Sequence, residues 1–303
     1  MTAPIGPRPV GRVPELVTVI VPARNSADTL AEQLDALRAQ DHDGPWELVL
    51  ADNGSTDATR AVFERAVADA AARPWVDARV VDAAQHAGSA HARNVGAEAA
   101  AGDLYCFCDA DDVVDPAWLR ELVHAVADHH LVGGRLDLER LNTAQVRSWR
   151  PAPSAAVKDA PAFAPTSNMA IWADTFAALG GLDVAYLKSH DVELSKRALA
   201  AGADLGFAPR AVVHYRLRSS LGGLARQAYR SGRATVQMAT QFPDREPPIV
   251  GRAVAERALW SLSRSPYVLL ADRRGLWVRR TAEVAGVVVA LGRSRLAARG
   301  SGR

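Results

Sequence analysis

Asp103-Leu-Tyr-Cys-Phe-Cys-Asp-Ala-Asp-Asp-Val-Val-Asp115 is an apolar run that ends in a cluster of carboxylates. Leu104 to Cys108 reads as a strand buried on both faces. Asp109, Asp111 and Asp112 follow within four residues, and like charges so close repel unless a cation sits among them or some stay protonated. Alternation along an extended chain puts Asp109 and Asp111 on one side and Asp112 on the other. Hard oxygen ligands of this kind suit Mg²⁺ or Mn²⁺, which take one or two carboxylates together with phosphate oxygens. The competing reading is a solvated acidic loop, with Asp115 and Pro116 starting the next helix. Position favours the first, because the carboxyl end of a buried strand is where open α/β sheets bind ligands.

The flanking chain supplies that sheet. Leu16 to Val21 is a strand ending at Pro22, and Ala23-Arg-Asn-Ser26 turns into a helix over 27–39. Trp46 to Ala51 is a second strand, and Asp52-Asn-Gly-Ser-Thr-Asp57 leads into a helix over 58–72. Val76 to Val81 is a third, after which Gly88-Ser-Ala-His-Ala-Arg-Asn-Val-Gly96 opens a helix closed near Gly102. Pro116 sits in the first turn of a further helix reaching His129, and a strand over 131–138 comes next. Strand–helix alternation of this kind predicts an α/β fold, a mainly parallel sheet with helices on both faces.

A chain of 303 residues, 49% hydrophobic, holds one large domain or a domain plus an extension. No run approaches the roughly 20 apolar residues of a membrane-spanning helix. Met1 to Pro14 is rich in Pro and Gly and lacks the apolar core of a secretory signal, so residues 1–15 read as a flexible leader. Cys106 and Cys108 flank Phe107 in one strand and fit a reducing cytosol as small buried residues. The net charge of +2 hides an asymmetry: residues 1–204 carry 18 Lys+Arg and 29 Asp+Glu, whereas 205–303 carry 18 Arg and 5 acids.

Val-Pro-Ala-Arg-Asn25, Asp52 to Asp57, Gly88 to Gly96 and Asp109-Ala-Asp-Asp112, in that order, resemble family 2 glycosyltransferases of the GT-A fold. The match covers residues 16–115 and continues more weakly to His214, through Ser167-Asn-Met-Ala-Ile171 and His190-Asp-Val-Glu-Leu194. Four motifs in order at strand ends make a strong signal. The resemblance implies a Rossmann-like GT-A catalytic domain over 16–216 and a nucleotide-sugar donor. One departure is visible, since the residue before the catalytic aspartate is usually acidic in the family and is His190 here.

In that resemblance Pro22, Ala23, Arg24 and Asn25 hold the base and ribose, and Asp52 accepts a hydrogen bond from the base, as suits uracil and hence a UDP-sugar. The competing reading of Asp52 is an ordinary turn before a helix. Asp57 instead serves the first turn of its helix. Gly88 and Arg93, at the start of the third helix, favour an anion, with an exposed helical arginine as the even alternative. Asp109 contacts the ribose beside Ala110, and Asp111 ligates the Mn²⁺ or Mg²⁺ that bridges the diphosphate, with Asp112 assisting. Asn168 faces donor sugar or acceptor, or satisfies local backbone. Asp191 is the general base that takes the acceptor's proton in an inverting displacement, with Glu193 the next candidate. His214 completes the metal shell, against a packed or exposed histidine on sequence alone. Pro151, Pro153, Pro161 and Pro165 mark a long loop that reads as a lid.

Helices over 219–240, 249–263 and 275–298 make residues 217–303 a basic C-terminal extension. The last of them reads as an interfacial amphipathic helix or as one packed with its basic face solvated. The partners this implies are a saccharide or lipid-linked acceptor and an anionic membrane, which together place the protein in the cytoplasm or peripherally on the inner face of the cell membrane. The opposing readings of the tail are docking on the acidic half and a homodimer contact. Nucleic acid is not expected, because no stacking aromatics accompany the charge. Two rival functions remain at this point. Asp109-Ala-Asp-Asp-Val113 also fits a haloacid-dehalogenase-type phosphatase, and a non-catalytic nucleotide-binding or membrane-surface scaffold would keep the same fold.

Overall fold

A computed structural model describes residues 5–68, 74–150, 162–244, 249 and 251–300, with side chains described as far as Arg293. The chain divides into two compact units. The first takes Met1–Arg140, Pro153–Ala185 and His190–Arg216, and the second takes Leu141–Ala152, Tyr186–Ser189 and Leu217–Arg303. Two short internal segments that the sequence groups with the first domain therefore belong to the helical unit. Residues 151–161, which carry most of the expected lid, lie outside the described residues.

The first unit is an eight-stranded, mostly parallel sheet in the order β3-β2-β1-β4-β7-β6-β8-β5. Its strands are β1 (Val17–Ala23), β2 (Trp46–Asp52), β3 (Asp77–Asp82), β4 (Leu104–Cys108), β5 (Val113–Val114), β6 (Leu131–Asp137), β7 (Asn168–Trp172) and β8 (Leu205–His214). The helices between them are α1 (Ala27–Arg38), α2 (Thr59–Ala68), α3 (Ser89–Glu98), α4 (Trp118–Val126), α6 (Ala173–Ala178) and α7 (His190–Ala200), while α5 (Ala144–Ser148) falls in the second unit. Every residue of β2 is buried, as its Val/Leu run demands of a strand covered on both faces. Gly96 lets α3 lie directly on β1, because a Cβ there would collide with the Ile20 side chain.

β1 to β4 run parallel, but β7 is antiparallel to both β4 and β6. The strand–helix rhythm does not foretell this reversal. A parallel neighbour needs a crossover connection, whereas an antiparallel one does not.

A polar cluster ties the amino ends of the strands. Thr18 Oγ1 donates to Glu47 at 2.7 Å, Arg79 binds the same carboxylate at 2.8 Å, and the Ala101 N–H donates to it at 2.6 Å. Burial pushes the Glu47 carboxyl up, but these three donors outweigh burial and hold it below its usual value.

The leader is not loose over its described part. Gly11 N–H donates to Asp128 Oδ1 at 2.9 Å, Gly6 O accepts from His130, and Arg12 pairs with Asp174 while its guanidinium lies 3.9 Å from the Trp172 ring centre. A Pro- and Gly-rich composition predicts flexibility only where no docking partner exists, and here His130, Asp128 and Trp172 provide one.

In the second unit α8 (Leu221–Gln241), α9 (Gly251–Ser263), a 3₁₀ turn (Ser265–Leu269) and α10 (Arg274–Gly300) follow in order. α8 and α10 meet backbone to backbone: a Cβ on Gly232 would strike the Glu283 carbonyl, and one on Gly286 would strike that of Tyr229. Trp277 Nε1 of α10 donates to Ser261 O of α9 at 2.7 Å, and Trp149 Nε1 reaches Ala271 O at 3.3 Å. α10 is thus a packed helix. The most exposed large apolar residues of this unit are Leu259 and Leu262 on α9 and Leu269 at the end of the 3₁₀ turn. Among the described residues no helix is long and apolar enough to cross a membrane.

Candidate functional site

β4 ends at Cys108 and the chain turns through Ala110 and Asp111 before β5. Asp109, Asp111 and Asp112 therefore do not alternate sides. Each offers an oxygen, and these atoms lie within 4.8 Å of one another. The expectation for Asp112 fails because period-two alternation holds only while the backbone stays extended. Three carboxylates so placed fit a hard divalent cation.

The turn is held from α1. Gln33, fully buried, donates to Asp109 O at 3.1 Å and accepts the Val114 N–H at 3.0 Å, while Thr29 Oγ1 donates to Ala110 O at 3.2 Å. From beyond β8 the Arg216 N–H donates to Asp112 Oδ1 at 2.7 Å, its Nε donates to Asp111 O at 2.8 Å, and its guanidinium pairs with Glu32. Neither Gln33 nor Arg216 belongs to the sequence motifs that point to the site. A glutamine between Leu30 and Leu34 on the buried face of a helix was the available signal, because a buried amide must find partners.

Arg93 is the organising cation. It is 2% exposed, its Nη2 pairs with Asp109, and its Nη1 lies 3.3 Å from His190 Nε2. It does not stand at a free helix end with Gly88, as the sequence suggested, because it sits one turn into α3 and points into the protein. A guanidinium has donors only, so a hydrogen bond between the two requires His190 Nε2 as the acceptor. Thr166 Oγ1 lies 3.2 Å from the same nitrogen. The ion pair of Arg93 is with Asp109.

His190 opens α7, and Asp191 follows it, half-buried, with Oδ1 accepting its neighbour's Val192 N–H at 3.0 Å. Glu193 is buried and forks onto Arg197 at 2.8 and 2.6 Å, and Arg197 in turn holds Leu179 O and Gly181 O. Glu193 thus has a structural task that Asp191 lacks.

The first two loops interlock. Asn25, at φ 51, donates its N–H to Ser55 Oγ at 3.0 Å and accepts the Thr56 N–H at 2.8 Å. Ala23 is buried, Pro22 half-buried, and Arg24 and Asn25 are exposed. Asp52 is buried, with Oδ1 on the Ser55 N–H at 3.0 Å and Oδ2 3.5 Å from Arg60. Asp57 accepts N–H groups from Thr59 and, across the loops, from Ala27, and the Thr59 hydroxyl, which also donates to it, leads in holding its carboxyl low. Gly88, at φ 140 where side chains are strained, donates its N–H to Asn53 Oδ1 at 2.9 Å.

Two further candidates stand apart. Asn168 is fully buried and has no face for a ligand: Trp118 Nε1 donates to its oxygen at 2.9 Å, and its nitrogen donates to Arg135 O and Ala211 O at 2.9 Å each. The local-structure alternative wins there. Gly134 allows this, since a Cβ would meet the Asn168 amide. His214 Nδ1 pairs with Asp137 at 2.7 Å and does not enter the carboxylate trio. Burial raises the Asp137 carboxyl, but His214 and two backbone N–H groups outweigh it and leave the carboxyl low.

Residues 18–160 match the model of Glycosyl transferase family 2. The chain is 28% identical over 270 residues to glycosyltransferase AglE of Haloferax volcanii, covering 85% of each protein. It is 27% identical over 248 residues to the pre-mycofactocin glycosyltransferase of Mycobacterium tuberculosis, covering 77% of this chain and spanning about half (50%) of that protein. Among solved structures, the mannosyltransferase PcManGT of Pyrobaculum calidifontis, in complex with GDP-Man and Mn²⁺, superposes with a TM-score of 0.64 at 20% identity, covering 94% of this chain and 90% of that one. At that identity the likeness speaks for the fold alone. The phosphatase reading is set aside, since the Asp109 signature follows the fourth strand of the sheet rather than the first and lies inside the stretch that matches the glycosyltransferase model.

Proposed function

Starting from a chain that carries a family 2 glycosyltransferase domain on a GT-A fold, we propose that it transfers a sugar, with inversion, from a UDP-sugar to a hydroxyl of a saccharide or lipid-linked acceptor. The observation that carries the reading is the single buried guanidinium of Arg93, which touches Asp109 at the strand end and His190 at the start of α7. The donor-side carboxylates and the residue next to Asp191 thereby share one rigid connection. Pro22 to Asn25 and Asp52 receive the nucleoside, and Asp109 receives the ribose. Asp111, with Asp112 beside it, would hold a divalent cation, Mn²⁺ or Mg²⁺. His214, held on Asp137 through Nδ1, stays outside that set. Bound there, such a cation supplies charge stabilisation for a departing diphosphate without a proton.

Asp191 takes the acceptor's hydroxyl proton. The acceptor oxygen forms its bond to the anomeric carbon as the bond from that carbon to the diphosphate oxygen breaks, and the nucleoside diphosphate leaves with the electron pair. The test is calorimetry followed by turnover. UDP should bind more tightly than GDP in Mn²⁺, and chelator or Asp111→Asn should remove that binding. Asp191→Asn should bind UDP normally and transfer about 10²–10⁴-fold more slowly. Metal-independent UDP binding, or full turnover in Asp191→Asn, would sink the respective assignment.

We also infer that the helical unit meets an anionic membrane. Leu259, Leu262 and Leu269 are 64%, 72% and 84% exposed, and arginines accompany them, Arg264 and Arg280 over Trp260 and Arg273 over Tyr267. Apolar tips among cations suit a bilayer surface better than a purely acidic protein face.

A further inference from the structure

We propose that Gln33, on the buried face of α1, is the positioning residue that decides which divalent cation the carboxylate turn accepts. The inference rests on the reading above that Asp111, with Asp112 beside it, holds such a cation. Gln33 acts through the backbone of the turn. Its amide nitrogen donates to Asp109 O at 3.1 Å, and its amide oxygen accepts the Val114 N–H at 3.0 Å. Asp109, Asp111 and Asp112 all fall in the stretch those two bonds bracket. One planar group carries both donor and acceptor, so the two ends of the turn are fixed to each other as well as to α1.

The helix is a firm support. Leu30, Leu34 and Leu37 of α1 are fully buried and share one apolar core with Cys108, Ala110 and Val114. One turn before Gln33, Thr29 Oγ1 donates to Ala110 O at 3.2 Å. β5, which follows the carboxylates, is only Val113 and Val114 paired with β8, so it is a short anchor by itself. Asp109, Asp111 and Asp112 keep an oxygen each within 4.8 Å of one another, and their like charges push them apart. Bonds at both ends of the turn oppose that spreading. Cations differ in what they ask of such a set. Mg²⁺ demands near-octahedral geometry with oxygens at about 2.0–2.1 Å, whereas Ca²⁺ takes flexible shells at about 2.3–2.6 Å. A clamped, compact set therefore favours the smaller ion, and a slack one suits the larger. Without Gln33 the turn slackens but stays attached, because Arg216 still holds Asp112 Oδ1 and Asp111 O. The carboxylates draw in a dication, and Gln33 selects its size.

The experiment measures UDP binding to the full chain calorimetrically in Mg²⁺, in Ca²⁺ and in chelator. The wild type should bind more tightly in Mg²⁺ than in Ca²⁺, and more weakly still in chelator. Gln33→Leu keeps the bulk and removes both bonds. It should lose about 10- to 100-fold in Mg²⁺, the usual effect of removing a partner that orients a metal ligand. Affinity in Ca²⁺ should fall less, so the preference narrows. Thr29→Val should shift the ratio the same way by a smaller factor, and it decides the question if thermal melts show that Gln33→Leu has lost its fold. Leu34→Ala weakens the packing of α1 without touching the turn's hydrogen bonds, so it should melt earlier and keep the wild-type ratio. An unchanged ratio in the folded variant overturns the role of Gln33 and leaves the cation reading standing. A ratio that narrows equally in Leu34→Ala also overturns it, and makes Gln33 a packing residue. UDP affinity that is the same in chelator and in Mg²⁺, or absent from both, removes the cation reading and this inference with it.

Discussion

The two units hold their backbones together by opposite means. In the sheet unit, polar side chains reach across loops and close on backbone groups: Gln33 on Asp109 and Val114, Asn53 on His86 and Gly88, and Asn168 on Arg135 and Ala211. In the helical unit the decisive feature is a missing side chain, at Gly232 and Gly286, which lets α8 and α10 touch through their backbones. A network of buried hydrogen bonds fixes positions to a fraction of an ångström and tolerates no missing partner. Close helix packing tolerates no added atom. A binding site that must hold charged groups in register suits the first device, and a cover or docking module needs only the second.

The largest effect that would break this contrast is in the sheet. Asn168→Ala leaves Trp118 Nε1, Arg135 O and Ala211 O without their buried partner. Each unsatisfied group costs about 1–3 kcal/mol, so a loss on the order of 4 kcal/mol is expected. Hydrogen exchange should speed up in β6, β7 and β8 while α8 and α10 keep their protection. Equal loosening of the helices would show that the two units are one cooperative block.

The mirror experiment is Gly232→Ala. The added methyl meets the Glu283 carbonyl, backbone that cannot swing aside, and overpacking of this kind costs about 1–3 kcal/mol. Protection should fall in α8 and α10 only. A stabilised protein, as expected for alanine in an unconstrained helix, would mean the helices have room between them.

How legible each unit is in the sequence follows from the same difference. The carboxylates at the strand ends could be read because Asp52, Asp109 and Asp111 are polar residues at ends of apolar runs, and burial contrast marks them. The β4–β7 reversal could not be read, since the Asn168–Trp172 run looks the same in either direction. Arg93 could be read only as a cation at a helix start, facing an anion or solvent, because helical spacing alone does not say that Asp109 and His190 meet its side chain. Gln33 and Arg216 act through backbone groups, which carry no sequence signature. In the tail, composition announced charge but not which helix would be packed: α10 has the apolar run, yet Gly286 and Val287 turn it against α8, and the exposed leucines fall on α9 and the 3₁₀ turn.

Acid titration sharpens the contrast from another side. The folded Glu47 carboxyl lies below its ordinary value, so it contributes stability that is fully present above the unfolded value of about 4.3 and is lost as pH falls through the folded one. The wild type should therefore lose stability on acidification below about pH 4.3, and Glu47→Gln should show a flatter acid limb. The effect belongs to β1, β2 and β3, whose amino ends the Thr18–Glu47–Arg79 cluster ties. An acid limb of unchanged slope in Glu47→Gln would remove the cluster from the account.

The smallest effects per residue concern the membrane. A cation near an anionic leaflet contributes about 1 kcal/mol, and each buried apolar side chain adds a comparable amount, so no single substitution should abolish binding. Co-sedimentation with vesicles rich in phosphatidylglycerol should decline with salt, and Leu262→Ser with Leu269→Ser should lower the bound fraction further than either alone. Because α10 is packed against α8, its exposed valines Val288 and Val289 should matter less than the leucines of α9 and the 3₁₀ turn. If Val288→Ser reduces retention more than Leu269→Ser, α10 is the surface-facing helix after all. If neutral and anionic vesicles retain the protein equally at low salt, the exposed leucines serve another copy of the chain or another protein, and the oligomeric state in solution separates those two.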